Sequence, residues 1–318
     1  MNILDNLEIA VLIPCHNEEL TVEKVVMDAK QALPSGIVYV YDNNSTDNTV
    51  TLAKQAGAIV KSVPLKGKGN VIRRMLADIE VDIYVIIDGD DTYDISVVQK
   101  LIQTMIEGNY DMVVGKRIEA AKQQYHEIYR RGHRFGNFAF TWLIERLFGK
   151  LFTDVFSGYR VLSRRFVKSF RAESRGFEIE TELTIHSLDL RIPATEIPTK
   201  YFARPEGSES KLHKFRDGWK ILKSIVYFLI DTKPLLVYSV IAGILALTSI
   251  IFIIPVFFAY LHTGIVQRFP TAILSASIML LGFMSFFCGI ILSSIARIQR
   301  SMKRFSYLSI PPLSKVKE

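Results

Sequence analysis

Tyr84-Val85-Ile86-Ile87-Asp88-Gly89-Asp90-Asp91 reads as an apolar strand that runs directly into two carboxylates. An extended backbone sends alternate side chains to one face, so Asp88 and Asp90 share a side with Gly89 between them. Two hard oxygen ligands that leave most of a cation's coordination sphere open suit Mg2+ or Mn2+ carrying a diphosphate. An acidic turn after a strand has the same local composition. The surrounding chain decides between these readings.

Outward from this stretch, short apolar strands are expected at Ile9 to Ile13, Ile37 to Tyr41, Ala58 to Ser62 and Ile83 to Ile87. Helical patterns from Glu18 to Leu33, Thr46 to Ala56 and Gly69 to Ile79 lie between them. Continuously apolar strands alternating with helices imply a mainly parallel sheet covered on both faces, an α/β fold. Ligands of such sheets bind at the carboxyl ends of the strands. Three polar clusters fall there: Pro14-Cys15-His16-Asn17-Glu18, Asp42-Asn43-Asn44-Ser45-Thr46-Asp47, and Asp88 to Asp94. Asp42 follows its strand directly, where a carboxylate can accept hydrogen bonds from a base or ribose. Thr46 and Asp47 also suit a helix cap and an acidic first turn. Lys66-Gly67-Lys68-Gly69 is a candidate for the same pocket, although it lacks the Walker and dinucleotide glycine spacings.

The remainder of the 318 residues has a different character. Leu235 to Leu261 and Thr271 to Ala296 contain no charged residue, and each exceeds the roughly 20 residues that span a bilayer's hydrocarbon core. A two-helix transmembrane hairpin is expected, with Pro255 tolerated inside the first helix. Lys220, Lys223 and Lys233 precede it and Arg297, Arg300, Lys303 and Arg304 follow it, whereas the connecting loop carries only Arg268. That asymmetry puts both ends on the cytoplasmic side. Ile9 to Ile13 is too short for a signal core, and Cys15 and Cys288 suit a reducing compartment without a disulfide. From Lys214 to Ile230, Phe215, Trp219, Leu222, Ile225, Val226 and Leu229 recur at helical spacing among basic residues, as in a helix lying in the headgroup layer. The net charge of +7 fits an anionic lipid surface or a lipid phosphate. Nucleic acid is not an expected partner, because no binding motif accompanies the charge.

Pro14-x-x-Asn17-Glu18, Asp42-x-x-Ser45-Thr46-Asp47, Asp88-x-Asp90, Asp154-x-x-Ser157-Gly158-Tyr159-Arg160 and Arg204-Pro205-x-Gly207-x-x-Ser210-Lys211-Leu212 follow one another in that order. With the apolar hairpin after them, they resemble the inverting glycosyltransferases of the GT-A fold. Within that group the chain is similar to polyisoprenyl-phosphate glycosyltransferases, including dolichol-phosphate mannose synthases and undecaprenyl-phosphate glucosyltransferases. The resemblance implies a Rossmann-like catalytic domain over 1–212, an amphipathic juxtamembrane helix over 213–233, two transmembrane helices over 234–298 and a basic cytoplasmic tail over 299–318.

The resemblance also implies roles. Pro14, Asn17, Glu18 and Asp42 would hold the donor nucleoside, and Asp88 and Asp90 the Mg2+ or Mn2+ bridging its diphosphate. Arg204 and Lys211 would meet the diphosphate from a loop, and Arg117 would face the donor. Arg130, Arg131 and Arg134, beside the apolar Phe138 to Phe148 segment, and Ser157 would receive the acceptor phosphate, with Arg131 preferred. Asp154 is the catalytic-base candidate. Its role is expected to be one of positioning, because a phosphate monoester with a second pKa near 6 is already largely dianionic at neutral pH. Glu178, Glu180 and Glu182 would alternate along one face if extended.

Asn43 and Asn44 stand where relatives often have Asp and Gly, and Asp91-Thr92 differs from the pair common in mannose synthases. The Gln-x-x-Arg-Trp signature of processive synthases is missing, which favours a single transfer. The expected activity is therefore transfer of one sugar from a UDP-hexose or UDP-N-acetylhexosamine to polyprenyl phosphate at the cytoplasmic face of the cell membrane, with GDP-mannose as the runner-up donor. An inactive nucleotide-sugar-binding adaptor and a basic membrane scaffold are the rival readings, and a homo-oligomer stays open.

Overall fold

The computed structural model describes residues 7–119, 141–149, 151–205, 207 and 214–313. Seven strands form one sheet: β1 (Ile9–Cys15), β2 (Ile37–Asp42), β3 (Ile59–Ser62), β4 (Ile83–Ile86), β5 (Met112–Glu119), β6 (Arg160–Ser163) and β7 (Ala194–Tyr201), in the order β3-β2-β1-β4-β6-β5-β7. The β3-β2-β1-β4 half is parallel. β6 runs antiparallel to both β4 and β5, while β7 is parallel to β5.

Consecutive residues of β1 feed two apolar layers. Ile9, Val11 and Ile13 pack with Val22, Val25, Val26 and Ala29 of α1 (Val22–Ala32), Ala53 of α2 (Thr49–Gln55) and Leu101, Ile102 and Met105 of α4 (Val98–Glu107). Ala10 and Leu12 face the other way, onto Val71, Ile72, Met75 and Leu76 of α3 (Lys68–Asp78). That second layer continues into Ile144 of α5 (141–148), Phe166 and Val167 of α6 (Arg164–Ser169) and Ile179 and Leu183 of α7 (Ile179–Leu190). Burial on both sides explains why the central strands carry continuous apolar runs.

The antiparallel strand positions the site. β6 begins beside the end of β4, with Arg160 opposite Ile86, so the residues just before Arg160 reach the rim where Asp88 emerges. Gly115 lies in the interior of β5, with its N–H bonded to Tyr159 O at 2.9 Å. The strand continues to Glu119.

Two compact units divide the chain, 1–225 with 303–318, and 226–302. α8 (Lys214–Thr232) is helical as its periodicity requires. α9 (Pro234–Thr263) and α10 (Phe269–Leu308) are long and apolar enough to cross a membrane by length and composition. They run antiparallel within the second unit. Ser249 Oγ donates to Ser275 O at 2.8 Å, Ser275 Oγ to Ser249 O at 2.9 Å, and Ser285 Oγ to Tyr238 O at 3.2 Å. Ser275, Gly282 and Gly289, spaced by seven, are the buried residues of α10, and such small residues let helix backbones approach closely.

The segment expected as a basic tail, 299–318, is partly helical. Helix continues to Leu308, and from Lys303 the chain groups with the first unit, where Tyr307 and Leu313 pack against its core.

Candidate active site

The first two rim loops are fastened to each other. Asn17 N–H donates to Ser45 Oγ at 2.9 Å, Thr46 N–H to Asn17 Oδ1 at 2.8 Å, and Glu18 N–H to Thr49 Oγ1 at 2.8 Å. Asn17 and Asn44 take left-handed backbone conformations, φ 53° and 61°, which asparagine adopts more readily than most residues. Half-buried Pro14 is the penultimate residue of β1, next to this junction. Asp42 is buried and its carboxylate accepts the Ser45 N–H at 3.2 Å, so it shapes its own loop while facing the rim. Asn48, not Thr46, is the N-cap of α2, and Asp47 just before it accepts Thr49 N–H on its Oδ1 at 3.1 Å. Asn43, one of the departures from the family pattern, ties this loop to the next. Its Nδ2 donates to Val63 O and Leu65 O, and its Oδ1 accepts Gly67 N–H at 2.7 Å.

Asp88 and Asp90 stand at the rim, each contacted by a protein cation. Lys68, the first residue of α3, places Nζ 2.5 Å from Asp88 Oδ1 and 2.6 Å from Glu180 Oε1. Arg204 bonds Asp90 Oδ2 through its NH2 group and comes within 3.8 Å of Glu18 Oε1. It is brought there because the chain after β7 pairs with the rim, Phe202 N–H donating to Thr92 O at 2.7 Å. Asp90 Oδ1 is held by Thr92 Oγ1 at 2.6 Å. Burial and the neighbouring Asp88 charge push the Asp90 carboxyl upward, with Arg204 opposing. Asp91 turns out of the site, φ 55°, onto Lys24 at 2.6 Å.

Glycine allows this closeness. A Cβ on Gly89 would lie 2.6 Å from Cys15 Sγ, and one on Gly158 would lie 2.5 Å from Asp88 Oδ2.

Asp154 and Arg117 form a two-pronged ion pair, Nε to Oδ2 at 2.8 Å and NH2 to Oδ1 at 2.7 Å. Burial alone would raise the Asp154 carboxyl, but the Arg117 hydrogen bonds and charge hold it below the usual carboxylate range. A carboxylate so engaged is a weak proton acceptor. Glu196 of β7 fixes the same loop by accepting the N–H groups of Thr153 and Asp154, both at 2.8 Å.

Two expectations change, those for Ser157 and for the three glutamates. Ser157 is fully buried and its hydroxyl donates to Gly115 O at 2.6 Å, so it pins the loop and is not presented to an acceptor phosphate. Arg160 is likewise interior, bonding Ser157 O, Val155 O, Glu180 O and Thr184 Oγ1, and burial lowers its guanidinium to about 10. Glu178, Glu180 and Glu182 are not on an extended strand; they straddle the start of α7. Glu182 accepts the N–H groups of Glu173 and Ser174, Glu178 accepts that of Gly176, and Glu180 alone joins the rim. Arg130, Arg131, Arg134 and Lys211 lie outside the described residues.

The donor set fits a substrate-borne divalent ion. Among the described residues no group of three or more His, Cys, Asp and Glu side chains converges as a complete cage. The aspartate pair leaves coordination positions for diphosphate oxygens and water, as Mg2+ and Mn2+ require. A dication also relieves the like-charge repulsion that raises Asp90. Lys68 and Glu180 are the site residues that the motif reading did not assign. Beyond the weak Lys66 to Gly69 pattern and the unresolved choice among three glutamates, nothing in the sequence singled them out.

A mixed seven-stranded sheet with an acidic pair, two cations and a carboxylate–arginine couple at its rim defines a GT-A glycosyltransferase domain. Residues 10–170, just over half of the chain, match the family described as Glycosyl transferase family 2, and the chain belongs to that family. An uncharacterised protein of Shigella flexneri is 56% identical over 153 residues, covering 48% of this chain and 94% of that protein. Glycosyltransferase AglJ of Haloferax volcanii is 34% identical over 212 residues, covering 66% of this chain and 68% of AglJ. A dolichyl-phosphate hexose transferase of the same organism is 28% identical over 227 residues, covering 71% and 96% respectively. Among solved structures, glucosyl-3-phosphoglycerate synthase from Mycobacterium tuberculosis in complex with Mn2+, uridine diphosphate and glucosyl-3-phosphoglycerate superposes with a TM-score of 0.55 at 22% identity, over 70% of this chain and 79% of that one. At that identity the likeness is one of fold.

Proposed function

We propose that this chain moves a single sugar from a nucleotide-sugar donor to polyprenyl phosphate at a membrane surface, inverting the anomeric centre. The observation that carries the reading is the Asp88 and Asp90 pair at the carboxyl rim of the sheet, joined by Lys68 and Arg204. A UDP-hexose or UDP-N-acetylhexosamine is the leading donor class, with GDP-mannose the alternative. The Mn2+ and uridine diphosphate held by the structural neighbour support a uridine donor with a divalent metal. The dolichyl-phosphate relative supports a lipid-phosphate acceptor.

Asp88 and Asp90 would hold Mg2+ or Mn2+, which supplies charge to the departing diphosphate. Pro14, Asn17, Glu18 and Asp42 line the rim that would receive the nucleoside. Arg204, and Lys211 on the same segment, would offset negative charge as the glycosidic bond breaks. A phosphate acceptor arrives largely dianionic, so the site needs orientation more than proton removal. Asp154, locked by Arg117, supplies a fixed surface for that orientation. Arg130, Arg131 and Arg134 are the candidates for the acceptor phosphate.

α9 and α10 would anchor the enzyme as a two-span hairpin in the cell membrane, with catalytic domain and both ends cytoplasmic. Basic residues flank the two apolar stretches, Lys220, Lys223 and Lys233 before them and Arg297, Arg300, Lys303 and Arg304 after them, with only Arg268 between, and this asymmetry supports the orientation. The test is incubation of the purified protein with labelled UDP-glucose, UDP-N-acetylglucosamine or GDP-mannose, polyprenyl phosphate and Mn2+ or Mg2+. Metal-dependent label in the chloroform phase is expected from one donor class. Donor binding without transfer would favour the adaptor reading and overturn this one.

A further inference from the structure

Lys68 occupies a place that the activity alone does not explain. Its ammonium lies between Asp88 Oδ1 at 2.5 Å and Glu180 Oε1 at 2.6 Å, and only 12% of its side chain is exposed. Glu180 is 5% exposed, and its second oxygen, Oε2, has no hydrogen-bond partner among the described residues. On the other side of the pair, Arg204 holds Asp90 Oδ2 and approaches Glu18. Each carboxylate offered to a metal therefore already touches a protein cation through one of its oxygens.

We propose that Lys68, tethered by Glu180 and seconded by Arg204, is a built-in counter-cation that makes divalent-metal binding at Asp88 and Asp90 conditional on the donor's diphosphate. The inference rests on the nucleotide-sugar reading above and specifies how that site admits its ligands.

Charge and space together set this condition. Asp88, Asp90, Glu180 and Glu18 bring four negative charges, and Lys68 and Arg204 bring two positive ones. A dication alone balances that sum, but it must take carboxylate oxygens at about 2.0–2.1 Å for Mg2+, where an ammonium and a guanidinium now sit. It also confronts two positive groups at close range in a partly dehydrated site, where like charges repel strongly. A diphosphate resolves the conflict. Its oxygens coordinate the metal and accept hydrogen bonds from the displaced cations, as phosphates do with lysine and arginine. Glu180 keeps Lys68 within reach during the exchange, because one carboxylate oxygen is committed to the ammonium whichever partner is opposite. Metal and diphosphate thus strengthen each other's binding, and the coupling is reciprocal by linkage.

The test measures Mn2+ binding by the loss of its free electron-paramagnetic-resonance signal. It uses the full-length protein in detergent, alone and with saturating UDP, GDP or inorganic pyrophosphate. In the unaltered protein, Mn2+ is expected to bind at least tenfold more tightly with a diphosphate than without. In Lys68→Met, Mn2+ alone is expected to bind several-fold more tightly than in the parent, with the diphosphate enhancement correspondingly reduced. Because Lys68→Met leaves Glu180 buried without its cation, the double variant Lys68→Met/Glu180→Gln is measured as well, with thermal unfolding as the folding check, and the same change is expected. Unchanged or weaker Mn2+ binding in folded variants, or an undiminished enhancement, overturns the proposal. If pyrophosphate enhances Mn2+ binding but neither nucleotide does, the counter-cation inference stands and the nucleotide-sugar reading fails.

Discussion

Arg117 and Asp154 are joined by both prongs of the guanidinium, and the Arg117 backbone N–H adds a third bond to Asp154 Oδ2 at 3.1 Å. The Arg117 guanidinium also stands over the Tyr201 ring, 5.5 Å from its centroid. A base that moves a proton needs an accessible lone pair and a pKa near the working pH. Asp154 has its oxygens committed and its carboxyl held low. With saturating substrates, Asp154→Asn is expected to reduce turnover by ~100-fold, the scale of losing one positioned electrostatic group. No recovery is expected as pH rises from 7 to 9. Arg117→Lys, which keeps charge but loses the fork, is expected to be nearly as impaired, and the double variant no worse than the more impaired single one. Recovery of Asp154→Asn at high pH would identify it as the proton acceptor.

Strand positions were legible because buried parallel strands leave continuous apolar runs, and all four expected strands of the first half are present within two residues at each end. The start of α1 was less legible. Asn17 to Thr21 carries helix-compatible residues, but Asn17, Ser45 and Thr49 spend their polar groups on an inter-loop clasp, so the helix begins at Val22. α7 was hard to read for a different reason. It is buried almost all round from Ile179 to Ser187, so it lacks the amphipathic stripe that marks a surface helix. Its glutamates at every second position left the choice between strand and helix open. Lys68 and Glu180 converge on Asp88 across separations of 20 and 92 residues, which no local pattern encodes.

Tyr307 closes a second cluster, in the unit that contains the sheet. Its hydroxyl donates to Asp111 Oδ2 at 2.6 Å, and Arg165 bonds both Asp111 oxygens at 2.5 and 2.6 Å while standing 4.6 Å over the Tyr307 ring. Tyr307→Phe is expected to lower stability by about 1.5–3 kcal/mol, the range for a hydrogen bond to a charged partner. Truncation after Met302 also removes the Leu313 contact and is expected to lower the midpoint of thermal unfolding by on the order of 5 °C. An unchanged midpoint after truncation would show that the segment does not dock in solution.

His186 makes stability depend on pH. Burial, and secondarily the charge of Lys303, lowers its imidazole to about 3 from an ordinary value of 6.5. Between those values the unfolded chain binds a proton that the folded chain does not. Stability therefore rises with pH through the window and is lost as pH falls below 6.5, with a slope approaching ~1.4 kcal/mol per pH unit. Glu180 and Glu182, whose carboxyls are raised by burial, act in the opposite sense, so a difference measurement is needed. Urea unfolding at pH 6.5 and pH 5 is expected to show that the parent loses ~2 kcal/mol more than His186→Gln. Parallel losses would place the imidazole in a solvated setting.

Gly158 tests the acidic pair without touching its charges. An added Cβ would lie 2.5 Å from Asp88 Oδ2, and the backbone is poorly placed to retreat because Gly158 N–H donates to Tyr93 Oη at 2.9 Å. Tyr93 is itself packed edge-on to Tyr159 and Tyr201, with centroids 5.6 and 5.1 Å away. Asp88 must then rotate away from its present position or strain its bond to Lys68. Gly158→Ala is expected to weaken joint binding of Mn2+ and UDP at least tenfold, the consequence of misplacing one of two metal carboxylates by a fraction of an ångström. Gly243→Ala in α9, where a Cβ meets nothing within 4 Å, serves as the control and is expected to bind like the parent. If Gly158→Ala also binds like the parent while remaining folded, Asp88 does not ligate the metal from its present position.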